Sequence, residues 1–173
     1  TYRIDAVEDG HRGGFGRVVT LIRQLQDEGR DVRLLHGGDF LYPSLESQLW
    51  DGEQMIEAMN FMHGLAPMYV VLGNHEFDER SPDALIDAVQ QARFEWLGDN
   101  LQLATGTAAV DARLRHSYVT ELDGLRIGFL ALTVHADHGG NLRAYAPVEQ
   151  DYLAAAERAL DELEQKGVDL IIG

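Results

Sequence analysis

Two short polar clusters in the sequence each follow an apolar stretch that ends in glycine. In "VVLGNHEFD" the apolar residues lead through one glycine to Asn74, His75, Glu76 and Asp78. In "LLHGGDF" a similar apolar stretch leads through two glycines to Asp39. Carboxylate, amide and imidazole groups can bind ligands or transfer protons, whereas a buried strand has no need of them. We therefore interpret the two clusters as parts of a functional site.

The spacing of the clusters predicts that they lie at the same edge of a sheet. Asp39 and His75 are 36 residues apart, the length of one strand-helix-strand unit, and "GEQMIEAMNFM" between them has helical spacing. In parallel α/β sheets, ligands bind beyond the carboxyl ends of the strands. Glycine before each polar cluster lets the backbone turn sharply as it leaves the sheet.

The rest of the chain alternates predicted helices and strands. Helix boundaries are indicated by capping residues or by the start and end of an apolar helical face: Gly29, Ser81-Pro82, a start near Val148, and Lys166-Gly167. Asp123-Gly124 between two β-rich runs predicts a tight hairpin, and "VDLIIG" predicts a final strand. We expect one layered α/β domain over residues 1–173, in which helices flank a mostly parallel sheet with some antiparallel pairing.

Composition excludes several kinds of function. The 173 residues are 45 % hydrophobic, enough for a real core, and carry 14 basic against 29 acidic residues, a formal net charge of −15. Such a field repels phosphate backbones and anionic membranes, so we expect neither a nucleic-acid nor a membrane partner. No apolar run approaches the roughly 20 residues that span a bilayer. An anionic small substrate would need a local positive centre, for which a metal ion is the obvious choice.

Three stretches together resemble one known family. "GGDFLYPSL", "DGEQMIEAMN" and "VVLGNHEFD" are similar to motifs of the calcineurin-like metallophosphoesterases, and within them most similar to the 5′-nucleotidase branch. The similarity extends back through "GGFGRVVTLIRQL" and forward through "FEWLGDN", so it covers most of the chain. The resemblance implies a layered metallophosphoesterase fold and hydrolysis of phosphate monoesters, with nucleotides as the expected substrates.

The resemblance also implies a role for each residue of the two motifs. Asp39 would bridge two divalent metal ions, and Asn74 would give its amide oxygen to the second ion. His75 would stabilise the phosphoryl transition state or protonate the leaving group, and Asp78 would orient its ring. The identity of the two metal ions, Mn, Zn, Fe, Mg or Ca, stays open. A water activated between two such ions can attack phosphorus without a nucleophile from the protein.

Other residues have both a functional and an ordinary interpretation. Asn100 in "GDN" is a candidate for substrate binding or for a turn, and Glu76 is expected to be structural or to face solvent. The remaining candidates are expected to have ordinary roles, either in the core or in loops, although each could contact metal or substrate: His36, Phe40, Tyr42, Trp50, His135 and His138.

The family pattern is not complete in this sequence. Its opening D-x-H tripeptide is absent; the best alignment puts the aspartate just before Thr1, with Tyr2 in place of the histidine. The later histidine and G-H-x-H motif are expected after Gly173. Both ends are thus expected to be truncated, and Asp39 and Asn74 alone are too few for the six or so ligands of a hard divalent cation. The piece by itself is therefore expected to bind metal poorly and to be inactive.

Two alternatives to a nucleotide phosphatase stay open. A family member could act on a cyclic phosphodiester or a sulfur-linked ester, or the chain could be a catalytically dead α/β binding module. The sequence does not decide the oligomeric state. It also leaves the compartment open between the cytoplasm and a periplasmic or secreted location.

Overall fold

The fold is described from a computed structural model, which covers Asp9 and residues 11–79, 81–134 and 144–173. The helices are α1 (Phe15–Asp27), α2 (Leu45–Trp50), α3 (Glu53–His63), α4 (Asp83–Gln91), α5 (Ala108–Asp111) and α6 (Tyr152–Gln165), with a 3-10 helix at Asn74–Phe77. The strands are β1 (Leu34–His36), β2 (Met68–Val71), β3 (Glu95–Leu97), β4 (Leu114–Arg115), β5 (Tyr118–Leu122), β6 (Leu125–Phe129) and β7 (Leu170–Ile172). Among the described residues, no helix is both long enough and apolar enough to cross a bilayer.

The first sheet contains four parallel strands in the order β1-β2-β3-β4. Because each strand is reached through a helical connection, all four run in the same direction and their carboxyl ends meet at one edge. Leu34 pairs with Met68 and His36 with Val70, so β1 and β2 end almost level with each other. This register brings the segments that follow the two strands together.

The second sheet contains β5, β6 and β7 and is mixed. β5 and β6 form the predicted antiparallel hairpin, and Asp123 and Gly124 at its turn both have positive φ, 50° and 79°. An aspartate followed by glycine adopts this backbone at little cost, which favours a tight turn here. β7 then joins β6 in parallel, after the crossover through α6.

The two sheets pack face to face, and helices cover their outer sides. In β2, Val70 points into the core shared with α3 and α4, while Tyr69 on the opposite face packs on Phe129 of β6, with ring centroids 4.6 Å apart. On the outer face of the second sheet, a Cβ on Gly128 would come within 2.8 Å of Leu163 of α6. The predicted α/β fold with mixed sheets flanked by helices is confirmed. The expectation of one mostly parallel sheet was too simple, because the second face of the parallel sheet is covered by another sheet.

Two predicted helix starts differ from the structure. The last helix begins at Tyr152 rather than near Val148, because the Asp151 side chain accepts a hydrogen bond from Ala154 N at 3.0 Å and caps the helix there. α4 begins at Asp83, with Pro82 rather than a serine in the N-cap position. Gly29, with φ of 77°, follows the end of α1 as predicted.

Candidate active site

The segments that follow β1 and β2 touch each other through two glycines. Gly38 has φ of +86°, and a Cβ on it would lie 2.3 Å from the backbone N of Gly73. A Cβ on Gly73 would lie 2.3 Å from Oδ1 of Asp39. No side chain larger than hydrogen fits at either position without moving the other segment. The two glycines therefore bring Asp39 against the start of the Asn74–Phe77 helix.

Asp39 is tied directly to the second segment. Its Oδ1 accepts a hydrogen bond from the backbone N of His75 at 3.1 Å. The residue itself has a left-handed backbone, with φ of 59°, a conformation that Asp and Asn tolerate better than most residues. Asn74 lies between Gly73 and His75, the two residues that contact Asp39. The structure thus brings together the two residues for which the sequence predicted metal binding.

His75 and Asp78 form a side-chain pair on the 3-10 helix. His75 Nδ1 and Asp78 Oδ2 are 2.9 Å apart, and the His75 residue is only 7 % exposed. An ionised carboxylate can only accept hydrogen bonds, so Nδ1 carries the hydrogen in this contact. With Nδ1 as the donor, the pair sets the tautomer and the orientation of the imidazole. The catalytic roles of His75 and Asp78 stay predictions.

The Glu76 carboxylate accepts hydrogen bonds from the segments that follow both β1 and β2. One oxygen accepts hydrogen bonds from Phe40 N at 2.7 Å and Leu41 N at 3.2 Å. The other accepts from Asp39 N at 2.8 Å and Gly73 N at 2.7 Å. Glu76 is 2 % exposed, so the expectation that it could face solvent is wrong and its structural role is confirmed.

The environment of Glu76 acts on its protonation in two opposing ways. Burial raises the pKa of its carboxyl group above the usual value, because the charged form loses its hydration. Hydrogen bonds from the backbone of Phe40, Asp39 and Leu41 favour the charged form and lower the pKa. The carboxylate is therefore held by the same backbone groups whose positions it fixes.

Asn100 lies at the same sheet edge, but its side-chain amide is engaged by the protein. Its Oδ1 accepts from Thr133 N at 2.8 Å, and its Nδ2 donates to Thr133 O at 2.8 Å and Glu149 O at 3.3 Å. The residue is 3 % exposed. These contacts join the end of β3 to the segment after β6. Its predicted role in substrate binding stays a prediction, and the contacts favour an architectural one.

Asp99 and Thr133 also connect the two sheets, and the sequence analysis did not single them out. Asp99 accepts hydrogen bonds from Ser117 N at 2.5 Å and Ala131 N at 2.7 Å. The hydroxyl of Thr133 donates to the carbonyl of Leu72 at the end of β2. The only signal for Asp99 was its place in "GDN" after a predicted strand, and Thr133 had none, because their partners are backbone groups far away in sequence.

The aromatic candidates divide between core and surface. Phe40 and Tyr42 are buried, as expected for core residues, while Trp50 on α2 is 54 % exposed, so its expected packing in the core is wrong. α2 is a six-residue helix that buries only Ser47, which leaves its large apolar side chains at the surface. Burial raises the pKa of Tyr42 to about 12, and the carboxylates of Asp51 and Glu79 add to this effect.

Of the remaining histidine candidates, one lies in the described structure. His36 is half-buried at the end of β1, where its Nδ1 accepts from Gly38 N at 3.1 Å and its ring packs edge-on against Phe40. Burial lowers the pKa of its imidazole. His135 and His138 lie outside the described residues.

The donors at this edge fit a divalent metal ion in kind. A carboxylate at Asp39 and an amide oxygen at Asn74 are ligands that hard cations prefer. These two residues provide fewer ligands than the six or so that such an ion binds. Within the described ranges, no group of three or more His, Asp or Glu side chains is arranged to hold a metal ion.

Comparison with known proteins agrees with this geometry. The model of the calcineurin-like phosphoesterase family matches residues 3–173. This chain belongs to the calcineurin-like phosphoesterase family, and the resemblance read from its motifs is confirmed.

The relatives found in this family include several 5′-nucleotidases. A probable 5′-nucleotidase of Treponema pallidum is 29 % identical over 165 residues, which are 92 % of this chain and 26 % of that protein. The human 5′-nucleotidase is 26 % identical over 166 residues, again 92 % of this chain and 28 % of that protein. The chain therefore spans about a quarter of the length of these relatives.

Two solved structures share the fold. A 5′-nucleotidase precursor from Thermus thermophilus superposes with a TM-score of 0.76 at 28 % identity, covering 92 % of this chain and 30 % of that one. The NAD nucleotidase of Haemophilus influenzae also gives a TM-score of 0.76, at 23 % identity, covering 92 % of this chain and 31 % of that one. At that identity the second similarity supports the fold alone.

Proposed function

We propose that the protein containing this chain is a metal-dependent phosphatase that hydrolyses phosphate monoesters of nucleotides. The observation that carries the proposal is the contact between the two motif segments. The backbone N of His75 donates to Asp39 Oδ1, and the His75 side chain is paired with Asp78. The residue proposed to transfer a proton thus contacts a candidate metal ligand through its backbone, in a chain that belongs to a family of phosphoesterases.

Asp39 and Asn74 are the residues of the described chain that would hold divalent metal ions. Two such ions, when bound, would supply the positive charge that the phosphoryl oxygens need and would make water a better nucleophile at neutral pH. Local charge matters particularly here, because the chain has a net charge of −15 and would otherwise repel a phosphate ester.

His75 is proposed to act on the leaving group. As the oxygen of water forms its bond to phosphorus, the bond from phosphorus to the ester oxygen breaks and negative charge develops on that oxygen. The imidazolium form of His75 gives this oxygen a proton, so that it leaves as an alcohol. The oxygen of the attacking water stays on phosphorus as part of inorganic phosphate, and one proton of that water returns His75 to its imidazolium form. Asp78 holds the ring through Nδ1 and stabilises the positive charge of the imidazolium form.

The proposal of a nucleotide substrate comes from the relatives. The probable enzyme of Treponema pallidum and the human protein are both named 5′-nucleotidases. A nucleoside 5′-monophosphate is therefore the first substrate to test. A cyclic phosphodiester or a sulfur-linked ester is the alternative within the family, and a catalytically dead binding module is the alternative outside it.

A substrate panel on the full-length protein carrying this sequence separates these possibilities. The protein is incubated with AMP, a 2′,3′-cyclic nucleotide, or a sulfur-linked ester, each with added manganese and each with EDTA. The proposal expects manganese-dependent release of inorganic phosphate from AMP. Turnover of only one of the other two esters would favour the family alternative. No turnover of any ester, by a folded and metal-loaded protein, would favour the binding module.

A further inference from the structure

The four backbone hydrogen bonds of Glu76 are divided evenly between its two carboxylate oxygens. Each oxygen accepts two, at 2.7 and 3.2 Å on one side and 2.8 and 2.7 Å on the other. Three of the donors, Asp39, Phe40 and Leu41, follow β1, and the fourth, Gly73, follows β2. The carboxylate is therefore a bridge between two strand ends that are more than 30 residues apart in sequence.

A buried carboxylate in this position needs all of these donors. Glu76 is 2 % exposed, and a carboxylate removed from water is costly unless hydrogen bonds replace its hydration. The carboxylate also provides a hydrogen-bond acceptor for four backbone N–H groups that lie just beyond the ends of the two strands. A glutamine of the same shape could not replace it, because its NH₂ group would face two N–H donors on one side.

We propose that Glu76 is a positioning residue that sets the geometry of the site by fixing the Asp39 backbone relative to the Asn74–Asp78 segment. It acts through its neighbours: its oxygen binds the N–H of Asp39 itself, and it lies on the same 3-10 helix as His75. The inference rests on the proposed function, because it assigns to Glu76 the placement of a metal ligand and of a proton-transfer group. The same carboxylate would thereby set both metal affinity and turnover.

The test compares Glu76→Gln with Glu79→Gln in the full-length protein. Both variants remove one negative charge from the same short stretch, but Glu79 is exposed. Three quantities are measured: manganese affinity by calorimetry without substrate, kcat and KM for AMP, and backbone amide exchange in the metal-free protein. Glu76→Gln is expected to weaken manganese binding and lower kcat, each by roughly 10- to 100-fold as for supporting residues around metal sites, with little change in KM. Amide exchange should accelerate at the backbone N–H groups that Glu76 binds, those of Asp39, Phe40, Leu41 and Gly73, and stay unchanged at N–H groups elsewhere in the chain.

The outcomes separate this inference from the proposed function. An inactive wild-type protein that still shows the exchange difference would reject the phosphatase and retain the structural bridge. An active Glu76→Gln variant with wild-type manganese affinity and kcat would overturn the positioning role. If Glu76→Gln does not fold, Glu76→Asp takes its place, since it keeps the charge but is too short to reach both strand ends. Wild-type manganese affinity and kcat in that variant would likewise overturn the role.

Discussion

The backbone N of His75 donates a hydrogen bond to Oδ1 of Asp39 at 3.1 Å, across 36 residues of sequence. This contact is one of those that join the ends of two adjacent parallel strands. It also makes the position of the candidate metal ligand depend on the segment that carries the histidine and its aspartate partner. Because the donor is the backbone N of His75, a substitution of the His75 side chain keeps this contact. The effects of the two motifs on metal binding and on turnover should therefore be separable by mutation.

Replacing Asp39 by asparagine should lower metal occupancy first. The amide cannot supply the negative charge of a bridging carboxylate, so bound metal should fall by at least about tenfold, with activity partly restored by excess manganese. Mass spectrometry measures the metal content of the variant. A titration of activity with added manganese measures the recovery. Asp123→Asn is the matched control, because Asp123 also has a left-handed backbone, with φ of 50°, but lies in the hairpin turn. Equal metal loss in both variants would contradict the assignment.

Gly73→Ala should destabilise the protein and disturb the site. The added methyl group would meet Asp39 Oδ1 at 2.3 Å and its backbone N at 2.8 Å, and such overpacking costs roughly 1–3 kcal/mol of unfolding free energy. Chemical denaturation provides the measurement. Gly16→Ala in α1, where nothing lies within 4 Å of the added Cβ, should be neutral or slightly stabilising because alanine favours a helix. A neutral Gly73→Ala variant would show that the two strand ends are not in contact.

Asn100→Ala distinguishes an architectural role from a role in substrate binding. The substitution leaves the buried N–H and C=O of Thr133 without their partner, and each such loss costs roughly 1–3 kcal/mol. We expect a lower free energy of unfolding and an unchanged KM for AMP. A large rise in KM with wild-type stability would instead support the substrate contact that the sequence suggested.

His63 should make the stability of the fold depend on pH. Its Nδ1 accepts a hydrogen bond from Met68 N at 3.1 Å, which only the form without hydrogen on Nδ1 can do. Burial lowers the pKa of His63 below 6.5, with Glu95 opposing and Arg93 reinforcing this shift. The unfolded chain therefore binds a proton first as the pH falls.

The contribution of His63 to the free energy of unfolding is therefore fully present above about pH 6.5, the pKa of histidine in the unfolded chain. It is lost as the pH falls toward the lower pKa that His63 has in the folded protein. Denaturation of the wild type and of His63→Gln between neutral and mildly acidic pH measures it. The difference in unfolding free energy between the two should shrink toward acid. A difference that grows toward acid would mean that His63 is protonated in the fold.

The sequence was enough to predict the hairpin turn and the proximity of the two motifs. Asp123-Gly124 specified its hairpin because the two positive φ values suit these residues. Asp39 and His75 were predicted to meet because parallel strands joined by a helical connection end at the same edge. The proximity of these two residues followed from topology, without any knowledge of side-chain contacts.

Other features depend on contacts that no local pattern specifies. The partners of Glu76 are backbone N–H groups up to 37 residues away. Every residue except proline has such a group, so the sequence does not identify which of them Glu76 binds. Apolar residues on both faces of β2 indicate burial but do not tell whether a helix or a second sheet covers them. Trp50 was expected to pack in the core rather than flank a base, but its six-residue helix buries only Ser47.

The most direct test of the proposed phosphatase activity measures phosphate release and bound metal in the same samples of full-length wild type and His75→Asn, with AMP as substrate. We expect the wild type to release inorganic phosphate, and His75→Asn to retain wild-type metal content with kcat lower by roughly 10²- to 10⁴-fold, as for loss of a proton-transfer group. Asp78→Asn should lower kcat more mildly. Wild-type kcat in His75→Asn would contradict the proton-transfer role of His75, and no phosphate release by a metal-loaded wild type would contradict the assignment as a nucleotide phosphatase.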